Sequence, residues 1–117
     1  MEGVELIAFR IISAVGTARS MYIEAIQKAK AGDFEAAEKL LKSGENMFLE
    51  GHHAHAGLLQ RESSGGLYGQ TQLLVLHAED QLMSAETFKI VAREFIDAYQ
   101  RIAALEKPDK PEKPEEG

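Results

Sequence analysis

A chain of 117 residues with 44% hydrophobic content has room for one compact domain with a real core, and its 7% aromatic content leaves that core to aliphatic residues and alanine. The absence of cysteine excludes disulfides, thiolate catalysis and cysteine-ligated zinc. A formal net charge of −6 is the wrong sign for a phosphate backbone, so nucleic acid is not an expected partner.

The N-terminal stretch MEGVELIAFRIISAV has no basic leader before its apolar residues and carries Glu2, Glu5 and Arg10, which reads against a signal peptide. No stretch reads as apolar enough, for long enough, to cross a bilayer. A soluble, cytoplasmic chain without direct membrane insertion is the expectation. Apolar residues then recur at helical spacing through Val4, Ile7, Ala8, Ile11, Val15, Ala18, Tyr22, Ala25, Ile26 and Ala29. This is one amphipathic helix, with Gly16 inside it.

Gly32 and Asp33 end the pattern. Glycine suits the position after a helix end, and aspartate suits the N-cap of the next helix. The second stripe runs Phe34, Ala37, Leu41, Gly44, Phe48, Gly51, His55 and Leu58, with the 3-4 alternation of a bundle seam. Gly44 and Gly51 each cost about 1 kcal/mol of helix stability relative to alanine. They either admit a close helix approach or are simply tolerated. The segment Ser63-Ser64-Gly65-Gly66-Leu67-Tyr68-Gly69 reads as a loop. A third helix is predicted from near Thr71 to about Ala104. Beyond it, EKPDKPEKPEEG is charged and proline-punctuated, so residues 106–117 read as a disordered tail behind a domain of residues 1–105. Three helices with short links predict an all-α, antiparallel three-helix bundle.

The third helix carries two apolar stripes. One contains Leu74, Ala78, Ala85, Phe88, Ala92, Phe95 and Tyr99, the other Leu73, Leu76, Asp80, Met83, Thr87 and Ile90. Their centres lie roughly 150° apart on the helix. Glu79, Glu86, Lys89 and Arg93 occupy the polar side between them. A bundle needs one stripe per helix, so the second argues for self-association; a single wide contact face is the alternative. Copies meeting around an axis would bring Asp80 carboxylates together, a repulsion relieved by protonation, a paired base or a hard cation such as Mg²⁺. Spacing alone favours a solvated or N-cap-like Asp80. His77 falls between the stripes, where an ordinary structural histidine is also at home.

The stretch LLVLHAEDQLMSAETFK, residues 73–89, resembles the phosphorylated helix of the lactose/cellobiose-specific IIA proteins of the bacterial phosphotransferase system, whose pattern there is close to LLVHAQDHLMTA. Upstream, Gly16-Thr17-Ala18-Arg19-Ser20 resembles the SGxARS segment of that family, and Ala29-Lys30-Ala31-Gly32-Asp33-Phe34 its AKxGDF turn. Glu50-Gly51-His52 stands where the family has EAH, followed by Leu58-Leu59-Gln60. The likeness spans roughly residues 4–103 in order.

The resemblance implies three-helix subunits assembled as a trimer. It implies that His77 accepts a phosphoryl group on Nε2 from phosphorylated HPr and donates it to a cysteine of a IIB protein or domain. This serves import of sugars of the lactose, cellobiose or chitobiose type. IIA touches proteins and not the sugar, so the resemblance puts specificity in IIB and IIC. It makes Asp80 the ligand of a divalent cation, Mg²⁺ or another, at the trimer axis, and His52 a supporting group near His77. The chain departs from the pattern where Glu79 replaces a glutamine, Gln81 replaces a histidine, and His55 stands where glutamine is frequent. Two other readings stand beside the carrier: a metal-binding helical protein using clustered His52, His53 and His55 with His77, and a non-catalytic helical interaction or regulatory module.

Overall fold

The computed structural model describes residues 3–63 and 71–107, all but a short turn of it helical: α1 (Gly3–Lys30), α2 (Phe34–Ser63) and α3 (Thr71–Glu106). At 1.5 Å per residue the helices run about 42, 45 and 54 Å. The loop expected over residues 63–69 and the tail expected over residues 106–117 fall largely outside the described residues, apart from Ser63, Glu106 and Lys107. Ser63 is the last residue of α2, and α3 runs to Glu106.

The α1–α2 turn forms where glycine and aspartate stand together. Gly32 adopts φ 88°, open to glycine at no steric cost. Its N–H donates to the Ala29 carbonyl at 3.0 Å, and the Asp33 N–H donates to the Lys28 carbonyl at 2.9 Å. These are the two bonds of a Schellman motif, and they satisfy carbonyls that the end of α1 leaves unpaired. Asp33 then caps α2, its Oδ1 accepting from the Ala36 N–H at 3.2 Å. The chain reverses in three residues, which sets α2 antiparallel to α1.

α1 is the central helix. It buries Ala8, Ile11, Ala14, Val15, Ala18, Tyr22, Ala25 and Ala29 against its neighbours. By length and composition α1 does reach the threshold of a membrane span, a correction to the sequence reading. A core helix of a soluble protein passes the same test, and this buried stripe is one that α2 and α3 pack on. α2 contributes Ala37, Leu41, Phe48 and Leu58 to the core, as its periodicity predicts. Gly44 and Gly51 are close-approach glycines. A Cβ on Gly44 would lie 2.7 Å from Cε1 of Tyr22, and one on Gly51 would overlap Cγ1 of Val15.

α3 buries Val75, Ala78, Leu82, Ala85, Ala92 and Ile96. Phe95, expected in that stripe, is 45% exposed and stacks on Tyr99 with ring centroids 6.0 Å apart. Ile96 faces the core in its place, in heptad register with the buried Val75 and Leu82 one position round from the Phe95 line. Polar contacts clip α2 to α3. Glu45 Oε1 accepts from Arg93 Nη2 at 3.1 Å, and Lys89 Nζ lies 3.9 Å from Oε2 of the same carboxylate.

Tyr22 is fully buried, and its hydroxyl has no hydrogen-bond partner among the described residues. Burial, and then the Glu45 carboxylate, push its pKa up to about 12 from 10.0, with Arg93 opposing. The folded state therefore holds this proton more tightly than the unfolded chain does. Stability contributed by the neutral phenol is complete below pH 10 and is lost as pH rises toward 12. Thermal melts between those limits should show a steeper alkaline loss in the native protein than in Tyr22→Phe; equal slopes would refute this.

Candidate functional site

The outer face of α3 is left uncovered by the rest of the chain. Leu73, Leu76, Met83 and Ile90 are 77%, 61%, 58% and 57% exposed, and Asp80 and Thr87 between them are exposed as well. These are the six residues of the second predicted stripe. Single exposed leucines are ordinary on a protein surface, but a file of large apolar side chains along four turns of one helix is not. The reason lies in the bundle: α1 and α2 pack against one side of α3 only.

His77 stands at the margin of this face, with its ring exposed. By helical geometry it lies about 60° around α3 from Asp80. Beneath it, Val75 and Ala78 are anchored in the core, so the backbone under the imidazole is held by packing. An exposed imidazole on a fixed helix can meet another protein's reacting atom without rearrangement of the fold. Neutral imidazole is a competent nitrogen nucleophile near pH 7.

Asp80 lies at the middle of the exposed file and makes no ion pair among the described residues. Each chain thus presents one free carboxylate, flanked by leucine and methionine. One carboxylate does not make a cation site, and among the described residues no three His, Asp or Glu side chains gather. The donor set suits a hard cation only if copies of the chain share this face.

The second-helix histidines do not converge on His77, although the rings of His52 and His53 lie 6.4 Å apart. His52 is exposed and stacks on Phe48, ring centroids 6.2 Å apart. His53 is exposed and borders a surface groove with Arg10 and Glu50. His55 is half-buried, with its Nε2 3.0 Å from Oε2 of Glu79. Within the chain no hydrogen bond, ion pair or ring contact joins any of them to His77 among the described residues. The four histidines thus do not form one metal cluster inside the chain, which is a correction to the metal-binding alternative.

Sequence reasoning did not foresee the His55–Glu79 contact. The signal was present, since His55 lies on the predicted inner stripe of α2 and Glu79 on the polar side of α3. Glu79 is two residues from His77, hence roughly 200° around the helix, on the α2 side.

The family model for the lactose/cellobiose-specific IIA subunit of the PTS system matches residues 6–100. The chain belongs to this family. It is therefore a IIA-type component of a sugar-uptake phosphotransferase system. It is 42% identical over 101 residues to the lichenan-specific phosphotransferase enzyme IIA component of Bacillus subtilis (strain 168), covering 86% of this chain and 91% of that protein. It is 34% identical over 100 residues to the lactose-specific EIIA component of Staphylococcus aureus (strain N315), covering 86% and 96%. The crystal structure of the cellobiose-specific enzyme IIA from Bacillus anthracis superposes with a TM-score of 0.82 at 38% identity, covering 89% of this chain and 94% of that one. The all-helical, three-helix architecture is thus shared along nearly the whole IIA domain.

Proposed function

We propose that this IIA chain is a cytoplasmic phosphohistidine carrier that takes a phosphoryl group from HPr on His77 and hands it to a cysteine of its IIB partner. The supporting observation is the exposed imidazole of His77 on a core-anchored helix of a chain matched to the IIA family over residues 6–100. The Nε2 lone pair of neutral His77 attacks the phosphorus held by the HPr histidine. The P–N bond to HPr breaks, and its electron pair returns to the HPr imidazole. In the second step a IIB thiolate attacks, the P–Nε2 bond breaks, and that pair returns to His77. Such transfers pass through loose transition states, so alignment and charge stabilisation matter more than acid–base help. A phosphoramidate stays reactive enough to be passed forward.

The exposed file of α3 is the contact through which three chains assemble, with Asp80 facing the axis. In that assembly Asp80 would hold Mg²⁺ or another divalent cation, which supplies counter-charge to the converging carboxylates. His52, on the side of α2 that carries Phe48, is the candidate support for a neighbouring chain's His77. HPr and IIB dock on the apolar surroundings of His77 as transient partners, through modest interfaces. The sugar is of the type handled by the relatives, lichenan-derived, lactose or cellobiose, and the carrier itself never meets it.

Incubation with enzyme I, HPr and phosphoenolpyruvate, followed by intact mass, tests this reading. It predicts a gain of one acid-labile phosphoryl group; an unchanged mass refutes it. Assembly has a separate test. Asp80→Leu removes the like-charge repulsion and adds apolar contact, so light scattering should find the trimer kept or strengthened. Dissociation of that variant to monomers would refute the axial placement.

A further inference from the structure

We propose that His55 is a positioning residue for phosphoryl transfer, holding the Glu79 carboxylate on α2 so that it does not oppose charge arriving at His77. This role rests on the carrier and trimer readings above.

Glu79 is the carboxylate next in sequence to the residues of the transfer face, two positions beyond His77. It is 33% exposed, and it is fixed by one partner, the Nε2–H of His55, 3.0 Å away and only 18% exposed. A glutamate side chain has three rotatable bonds, so without that partner the carboxylate is free to swing outward. The direction of that swing matters. His77 lies about 60° to one side of Asp80 on the α3 wheel, and Glu79 about 100° to the other. A cyclic assembly joins unlike edges, so the His77 edge of one chain meets the Glu79 edge of the next. A carboxylate released from His55 would then enter the space where a neighbouring chain's His77 receives an anionic phosphoryl group. His55 keeps it turned inward, and the donated hydrogen bond spreads its charge.

The geometry needs a donor at position 55, not a histidine as such. Glutamine offers an amide N–H at similar reach, whereas alanine offers nothing.

Rates of phosphoryl uptake from phosphorylated HPr would be compared in the native trimer, His55→Ala, His55→Gln and the double variant His55→Ala/Glu79→Gln, alongside thermal melts. His55→Ala should slow uptake roughly three- to tenfold, the order expected of one unit charge acting across about 10 Å of partly screened medium. His55→Gln should keep most of the native rate. The double variant should recover it even if its melting temperature stays lowered, which a merely structural role for His55 would not produce. A double variant as slow as His55→Ala overturns the assignment, as does a His55→Ala protein with the native rate. If the native protein gains no phosphoryl group on His77, or is a monomer, the carrier or trimer reading has failed and this role falls with it.

Discussion

Glutamine in place of His77 is expected to abolish phosphoryl uptake while leaving the fold intact. An amide nitrogen has its lone pair delocalised into the carbonyl and does not attack phosphorus, so no slower version of the same step survives. The fold should be indifferent, because the ring is exposed and makes no hydrogen bond or ion pair among the described residues. Surface changes of that kind fall within about 0.5 kcal/mol. Mass measurement after treatment with enzyme I, HPr and phosphoenolpyruvate, with a thermal melt of the same sample, reads both. A His77→Gln protein that still gains the label would place the acceptor elsewhere.

The second large effect is expected in the bundle interior. Gly51 packs against Val15, itself 1% exposed, and a Cβ there would overlap Cγ1 of that valine. Val15 has no open side to retreat to, since Ile11, Ala14 and Ala18 are buried around it on the same helix. Gly51→Leu should therefore cost about 3 kcal/mol or more, despite the better helix propensity of leucine. Gly57 is the control: nothing lies within 4 Å of a Cβ placed there, so Gly57→Ala should gain up to about 1 kcal/mol. Urea titration of the two variants would separate them. Equal stability would mean that α2 can lift away from α1 at little cost.

The helices, the Gly32-Asp33 turn and the inner faces of α1 and α2 are legible from spacing, because one-sided burial against a neighbour imposes a 3.6-residue period. The two glycines of α2 were ambiguous in sequence for a physical reason. A glycine records the absence of a side chain, and only the position of Tyr22 and Val15 across the interface shows what fills the space. On α3 the outer file is legible residue by residue, and so is the inner stripe apart from Phe95: Ala78, Ala85 and Ala92 are buried, and Leu74, Phe88 and Tyr99 pack against the core. Val75, Leu82 and Ile96 join the buried face beside the predicted stripe, because α3 packs against both α1 and α2 and so buries a face wider than one stripe. The pairing of His55 with Glu79 depends on the axial offset between α2 and α3, set by packing far along the chain.

The exposure of His77 and the separate fates of the other histidines came from the fold. Spacing alone allowed His52, His53 and His55 to act together. Their positions around α2 send one onto Phe48, one to a groove beside Arg10, and one to Glu79. What remains on α3 is a lone imidazole beside a file of uncovered apolar residues.

The most direct measurement is a chase experiment. The protein would be labelled by enzyme I, HPr and radioactive phosphoenolpyruvate, freed of these components, and mixed with the purified IIB partner. The label should first map to His77 and then pass to the IIB cysteine, leaving the IIA chain unmodified. Label that maps to another residue, or that stays on His77 while IIB remains bare, would contradict a relay through this imidazole.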